Sequence, residues 1–362
     1  MKYLVLSLLG LLIGGGAWAH AQTEDRFPRI TERTQSWVDR GYYSGCSVWI
    51  AKDGATIYQK SFGNHTAETE VFIASAGKWL ASAMILAVVE DGKLSLNDEV
   101  VKWLPEFQGD PKGKATLRQL FSHTSGYPPY QPKNLPKDNY QTTAESVAHL
   151  LPLPPNAEPG KRFNYGGLAM QVAGRMAEVV TGKDCETLFQ EKIAKPLGMT
   201  KTRYTPVDPA HAPMLAGSAI STLNDYTKFL TMIAQGGVFQ GKRILSEKSI
   251  LEMQADQVGT ATVKPNEFVE RTRGAKHQGV YGLGMWREEI DEKGVVSLMS
   301  SPSWAGTYPW IDRRTGICGL IMAHVDVNSE SVKREKFSGF WTSPVLAMLV
   351  REQLDTSREP QK

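Results

Sequence analysis

Strand-like alternation is confined to the two ends of this 362-residue chain. Residues 44–63 (SGCSVWIAKDGATIYQKSFG) alternate on both sides of Asp53-Gly54, and an Asp-Gly pair between two alternating runs is a strong hairpin signal. The pattern returns only near the C-terminal end, in GVYGLGMW, GVVSLMS, WAGTYPWID and GICGLIMAHVD. Between these regions the apolar period is helical. SAGKWLASAMILAVVEDG, from Ser75, puts Leu80, Met84, Ala87 and Val88 on one stripe that stops at Asp91-Gly92. Residues 98–254 continue as helix and loop, and helices are expected over 28–40 and 341–354. The prolines dense between Gly126 and Gly160 read as stiff surface loop, because helical patterns resume on both sides. Strands at both ends that pair with one another predict an α+β fold. It has an antiparallel sheet flanked by terminal helices plus a mainly helical inserted domain. The expected bounds are 22–74 and 275–362 for the sheet domain and 75–274 for the helical one, with a cleft between them.

Met1-Lys2, the apolar run over residues 3–13 and the small residues ending at Ala19 and Ala21 describe a secretory signal peptide over residues 1–21. Crossing a bilayer takes about 20 apolar residues, and Pro344 to Val350 reads instead as one face of a core helix. The expectation is a periplasmic or secreted protein with no stable membrane insertion after cleavage. The 41 Lys+Arg against 38 Asp+Glu form no basic block, which argues against a nucleic-acid partner. Neither zinc, phosphate-loop nor dinucleotide spacing is present, so no metal is expected. Cys46 and Cys318 fall on predicted strands and Cys185 on a helix; no disulfide is predicted.

Three places could carry chemistry. Ser75 and Lys78 stand three positions apart at the first turn of the buried helix, so they share a face about one turn apart. Burial lowers a lysine pKa, which would let a neutral amine take the serine proton, and the N–H groups of a helix start can hold an oxyanion. Tyr165, in Phe163-Asn164-Tyr165-Gly166-Gly167, could present its phenol to a cleft. Gly306, in Ser303-Trp304-Ala305-Gly306-Thr307, could admit a ligand close to a strand backbone. Taken singly, each has a plainer reading: an N-cap serine with a surface lysine, a packed loop tyrosine, a core tryptophan.

Together the three resemble the serine hydrolases that group class C β-lactamases, penicillin-binding D,D-peptidases and family VIII carboxylesterases, which share S-x-x-K, Y-x-N and a strand motif K-T-G, H-x-G or W-x-G. The stretches Phe121-Ser-His-Thr-Ser-Gly126, Ser221-Thr-Leu-Asn-Asp-Tyr226 and Tyr281-Gly-Leu-Gly284 fit the same pattern. The resemblance spans roughly residues 28 to 350. It implies Ser75 as nucleophile, Lys78 as its base and Tyr165 as proton shuttle to the leaving group. The backbone N–H groups of Ser75 and Thr307 would form the oxyanion hole. Trp304, Gly306, Gly167 and His123 would line the substrate, with His123 hydrogen-bonding locally. The family uses no metal and no organic cofactor.

Two departures bear on substrate. Gly167 stands where the family has the asparagine of Y-x-N, and Trp304 stands where it has the lysine of K-T-G. That lysine lies near a substrate carboxylate, and losing an ion-pair partner of this kind removes up to a few kcal/mol. Both changes point to a small-molecule neutral ester. The alternatives are a β-lactamase or D-amino-acid peptidase of the same family, or a non-catalytic homologue that binds a ligand in the cleft. With the strand lysine gone, a cation from Arg271, Arg273, Lys276 or His277 could help ionise the phenol.

Overall fold

The structure is a computed structural model and describes residues 25–132, 142–204, 213–275 and 278–356. The expected signal peptide, residues 1–21, lies outside the described residues. Six strands form one antiparallel sheet: β1 (Tyr43–Lys52), β2 (Ala55–Gly63), β3 (Trp286–Ile290), β4 (Val296–Ser300), β5 (Gly306–Asp312) and β6 (Ile317–Val325). Their order is β2-β1-β6-β5-β4-β3, so the N-terminal hairpin joins the C-terminal strands through the β1–β6 pair. Val48 faces Ile321 across that junction. The hairpin turns at Asp53-Gly54 with φ of 50° and 85°, the left-handed pair that an Asp-Gly turn supplies. This is the α+β architecture expected from the sequence.

The helices that shape the molecule are α1 (Pro28–Asp39), α2 (Gly77–Glu90), α3 (Leu168–Thr181), α4 (Leu223–Ala234) and α5 (Val345–Thr356). Successive side chains of a strand point to opposite faces, and both faces of this sheet are covered. Val48, Ile50 and Ile321 meet Ile30 and Trp37 of α1 and Leu346 and Val350 of α5 on one side. Trp49, Ala51, Leu320 and Met322 enter the larger core beneath the inserted helices on the other. Cys46 belongs to the first face and Cys318 to the second, so the sheet itself separates these two thiols. Helix α2 runs through the larger core, with every residue from Gly77 to Val88 buried.

Two local expectations need correction. GVYGLGMW does not form a strand until Trp286, because Gly279 and Gly284 adopt φ of 68° and 72° and turn the chain. A Cβ on Gly284 would lie 2.5 Å from the Lys78 carbonyl oxygen, so this turn presses directly on the backbone of α2. The C-terminal helix is broken: Gly339–Thr342 is helical, and α5 restarts at Val345 after Pro344, which has no N–H to continue a helical ladder.

Candidate active site

The chain enters the site on a two-residue strand, Val71–Phe72, which pairs with Ile220–Ser221. A 3₁₀ turn, Ala74–Ala76, then leads straight into α2. Ala74, just before Ser75, is held at φ 45°, a left-handed conformation that costs an L-residue roughly 1–2 kcal/mol. Side-chain hydroxyls from three directions hold the next carbonyls in sequence. Ser301 Oγ donates to the Ser75 oxygen (3.2 Å), Tyr226 OH to that of Ala76 (2.8 Å), and Tyr204 OH to that of Gly77. Ser301 follows β4 while Tyr226 lies on α4, so the nucleophile turn is gripped by both the sheet and the inserted helices.

Lys78 Nζ lies 3.0 Å from Ser75 Oγ and 2.8 Å from the carbonyl oxygen of Ala216. It is 2% exposed, and among the described residues it has no ion-pair partner. Burial without a compensating charge draws its pKa down to about 7. Near neutral pH a large share of Lys78 is therefore free amine beside the Ser75 hydroxyl.

Tyr165 completes the group. Its ring lies 4.8 Å from Lys78 Nζ, with the Ser75 hydroxyl close to its phenol. The ring rests among His123 (4.7 Å between centroids), Trp286 (5.1 Å), Tyr281 (5.9 Å) and Phe340 (6.4 Å). Burial in this aromatic nest pushes the phenol pKa well above its usual value, although the neighbouring Ser75 side chain works the other way. The phenol is thus a proton donor at neutral pH, and the amine is the base.

The remaining expected residues divide. Trp304 is 49% exposed at the edge of the site. Thr307 is the second residue of β5, which lies against the Ser75 turn, and its side chain turns inward to donate to the Ala323 carbonyl (2.9 Å). Gly306 is a glycine for a different reason than ligand approach. At φ 108° a Cβ would lie 2.6 Å from the Tyr43 ring, and Gly339 packs against the same Cα. Gly167 is committed to the loop, its N–H donating to Pro129 O at 2.8 Å as α3 begins. His123 makes its local hydrogen bond through its backbone carbonyl, which accepts from Asn164 N (2.8 Å), and not through its ring. The imidazole Nε2 is buried without a hydrogen-bond partner. Burial first, and the Lys78 charge second, push its pKa well below the usual value, so it is neutral.

Of the expected cationic helpers, Arg271 and Arg273 are already engaged. Arg273 is buried against Glu288 (2.5 Å), and the Arg271 guanidinium lies 3.6 Å over the Trp341 ring. Lys276 and His277 lie outside the described residues. Sequence reasoning missed Ala216, Tyr204, Ser301 and Trp286. Ala216 acts through a backbone oxygen, which leaves no mark in a sequence. Among the described residues no group of three or more His, Cys, Asp or Glu is placed to hold a metal ion.

A sequence model described as beta-lactamase matches residues 30–338. A solved candidate β-lactamase from Bacteroides dorei DSM 17855 shares 48% identity, with a TM-score of 0.86 over 91% of this chain and 99% of that one. A family VIII carboxylesterase superposes with a TM-score of 0.65 at 20% identity, covering 84% of this chain and 93% of that one, which shows a common fold. The D-alanyl-D-alanine-carboxypeptidase/endopeptidase AmpH of Escherichia coli (strain K12) is 31% identical over 182 residues, 48% of this chain and 46% of AmpH. The chain spans about half the length of the curated relatives it matches.

Proposed function

The chain belongs to the beta-lactamase family of serine hydrolases, and from that premise we propose that it is an exported esterase cleaving neutral small-molecule esters through a Ser75 acyl-enzyme. In the proposed cycle the Lys78 amine takes the Ser75 proton as Oγ attacks the ester carbonyl. The N–H groups of Ser75 and Thr307 hold the oxyanion. The leaving alkoxide departs as alcohol with a proton passed through Tyr165. Water, deprotonated through the same pair, then releases the acid and restores Ser75. Ester and water go in; acid and alcohol come out.

The observation that carries the choice of ester is the half-exposed Trp304, which leads into β5 beside the Ser75 turn. A half-exposed indole stands where a member that reads carboxylates would place a lysine, and Arg273 is neutralised by Glu288. With the strand lysine replaced by Trp304 and Arg273 paired to Glu288, an anionic lactam or peptide carboxylate loses these two ion-pair partners, and with them its advantage over a neutral ester. The second reading, a β-lactamase or D-amino-acid peptidase, is favoured by the likeness to AmpH. Parallel rates on p-nitrophenyl butyrate, a chromogenic cephalosporin and a D-alanyl-D-alanine peptide separate the two. We expect kcat/KM for the ester to exceed that for the lactam by roughly a hundredfold, the loss of about 2–3 kcal/mol of ion pairing. The reverse order would place the protein with the lactamases or peptidases. A serine-directed phosphonate should label Ser75 in the native protein and leave Ser75→Ala unlabelled; a native protein that resists labelling would be a binding homologue.

Export is the second part of the proposal. It rests on residues 1–21, and among the described residues no helix is long and apolar enough to cross a membrane. N-terminal sequencing of the protein recovered from its native host should begin at His20 or Gln22; a sequence beginning at Met1 would overturn export by cleavage.

A further inference from the structure

We infer that Phe72, His324 and Trp304 form a subsite for a planar aromatic ring on the acyl half of the ester, a specificity that rests on the esterase reading above. The three rings contact one another. Trp304 lies 6.3 Å from Phe72 and 5.6 Å from His324, and Phe72 lies 5.8 Å from His324. The imidazole is fixed by Nδ1, 3.2 Å from the Phe72 carbonyl oxygen. In the core such a cluster would be closed, yet here Trp304 is 49% exposed and the other two are only partly buried. Apolar rings left open beside a reaction centre gain free energy when a ligand covers them.

Their position assigns the half of the substrate they take. Phe72 stands three residues before Ser75, and Trp304 leads into β5, which lies against the Ser75 turn. His324 is on β6, on one side of β5, whereas Trp286, the neighbour of Tyr165, is on β3 at the far edge beyond β4. The phenol that delivers a proton to the leaving alkoxide is therefore on the β3 side of Ser75. The acyl half extends the other way, towards the three rings. The rings are tilted or edge-on to one another, with interplanar angles of 55°, 57° and 74°, so they offer both edges and faces. An aromatic guest gains from that geometry beyond its buried area, and an aliphatic ring of equal size does not.

The test holds the leaving group constant and varies the acyl group: p-nitrophenyl acetate, phenylacetate and cyclohexylacetate, with active sites counted by phosphonate titration. The native protein should prefer phenylacetate over cyclohexylacetate by about fivefold to tenfold in kcat/KM, mainly through KM. Trp304→Leu and Phe72→Leu should each bring that ratio to within about twofold of unity, per titrated site. A native ratio near one, or a ratio unchanged in both variants, overturns the subsite while leaving the esterase intact. Failure to cleave any of the three esters overturns the esterase reading itself, and the subsite with it.

Discussion

Replacing Lys78 by methionine is expected to lower ester hydrolysis by roughly a thousandfold while making the protein harder to unfold below about pH 7. Both effects have one cause. The amine is enclosed, and burial brings its pKa from 10.5 to about 7. Below about pH 7 it carries a proton in the folded and unfolded states alike, so the folded state bears the full penalty of a buried charge. Between pH 7 and 10.5 the unfolded chain holds a proton that the folded protein has released, and stability from this group rises with pH. Above that range the penalty is gone. Its size follows from the shift and is at most about 4–5 kcal/mol. Methionine has a similar length and no charge, so Lys78→Met should unfold at higher denaturant than the native protein at about pH 6, with the gap narrowing at about pH 9. The activity of the native protein on a neutral ester should rise through about pH 7 as the amine is freed. No decline from the phenol is expected before strongly alkaline pH, because burial holds Tyr165 protonated. A variant that keeps a tenth of native activity, or whose stability gain is the same at both pH values, would remove Lys78 from its place as the base.

The parts of this site that were legible in the sequence are those set by local geometry. Ser75 and Lys78, three positions apart, were expected on one helical turn; Ser75 sits instead in the 3₁₀ turn that runs straight into α2, and the three-residue spacing still brings the two together at 3.0 Å. The hairpin at Asp53-Gly54 and the last three strands followed from turn chemistry and alternation. What was not legible depends on contacts between distant segments. The Ala216 oxygen that holds Lys78 is 138 residues away and belongs to no residue type in particular. Gly306 was read as space for a ligand, whereas the ring that requires a glycine there is Tyr43, on β1 two strands across the sheet. The glycines of Tyr281-Gly-Leu-Gly284 look like strand spacing until α2 is in place beneath them. The same holds for Arg273, which reads as a loop cation and is a buried partner of the sheet.

That last pairing has the largest consequence for stability. Glu288, on β3, is fully buried, and burial pushes its carboxyl above the usual range while the Arg273 charge, 2.5 Å away, works against that shift. Tyr308 OH (3.0 Å) and Ser300 Oγ donate to its other oxygen. Arg273 ends the short helix Phe268–Arg273, whose Phe268 lies 5.0 Å from the Trp286 ring that supports Tyr165. Arg273→Ala should therefore cost about 3–5 kcal/mol, because it strands a buried carboxylate rather than merely deleting a contact. The carboxyl can escape by taking a proton, with its folded pKa raised above the unfolded value. The loss should then be smallest at about pH 5, where a proton is at hand, and should grow to its full size as pH rises past the folded pKa. Arg273→Met combined with Glu288→Met removes both charges and should recover most of the lost stability, since well-packed apolar replacements of buried ion pairs are often neutral. Chemical denaturation of the native, single and double variants at both pH values measures all three terms. If the single variant loses no more than the double, Glu288 was never dependent on Arg273, and the helix that backs Tyr165 must be held to the sheet by its apolar contacts alone.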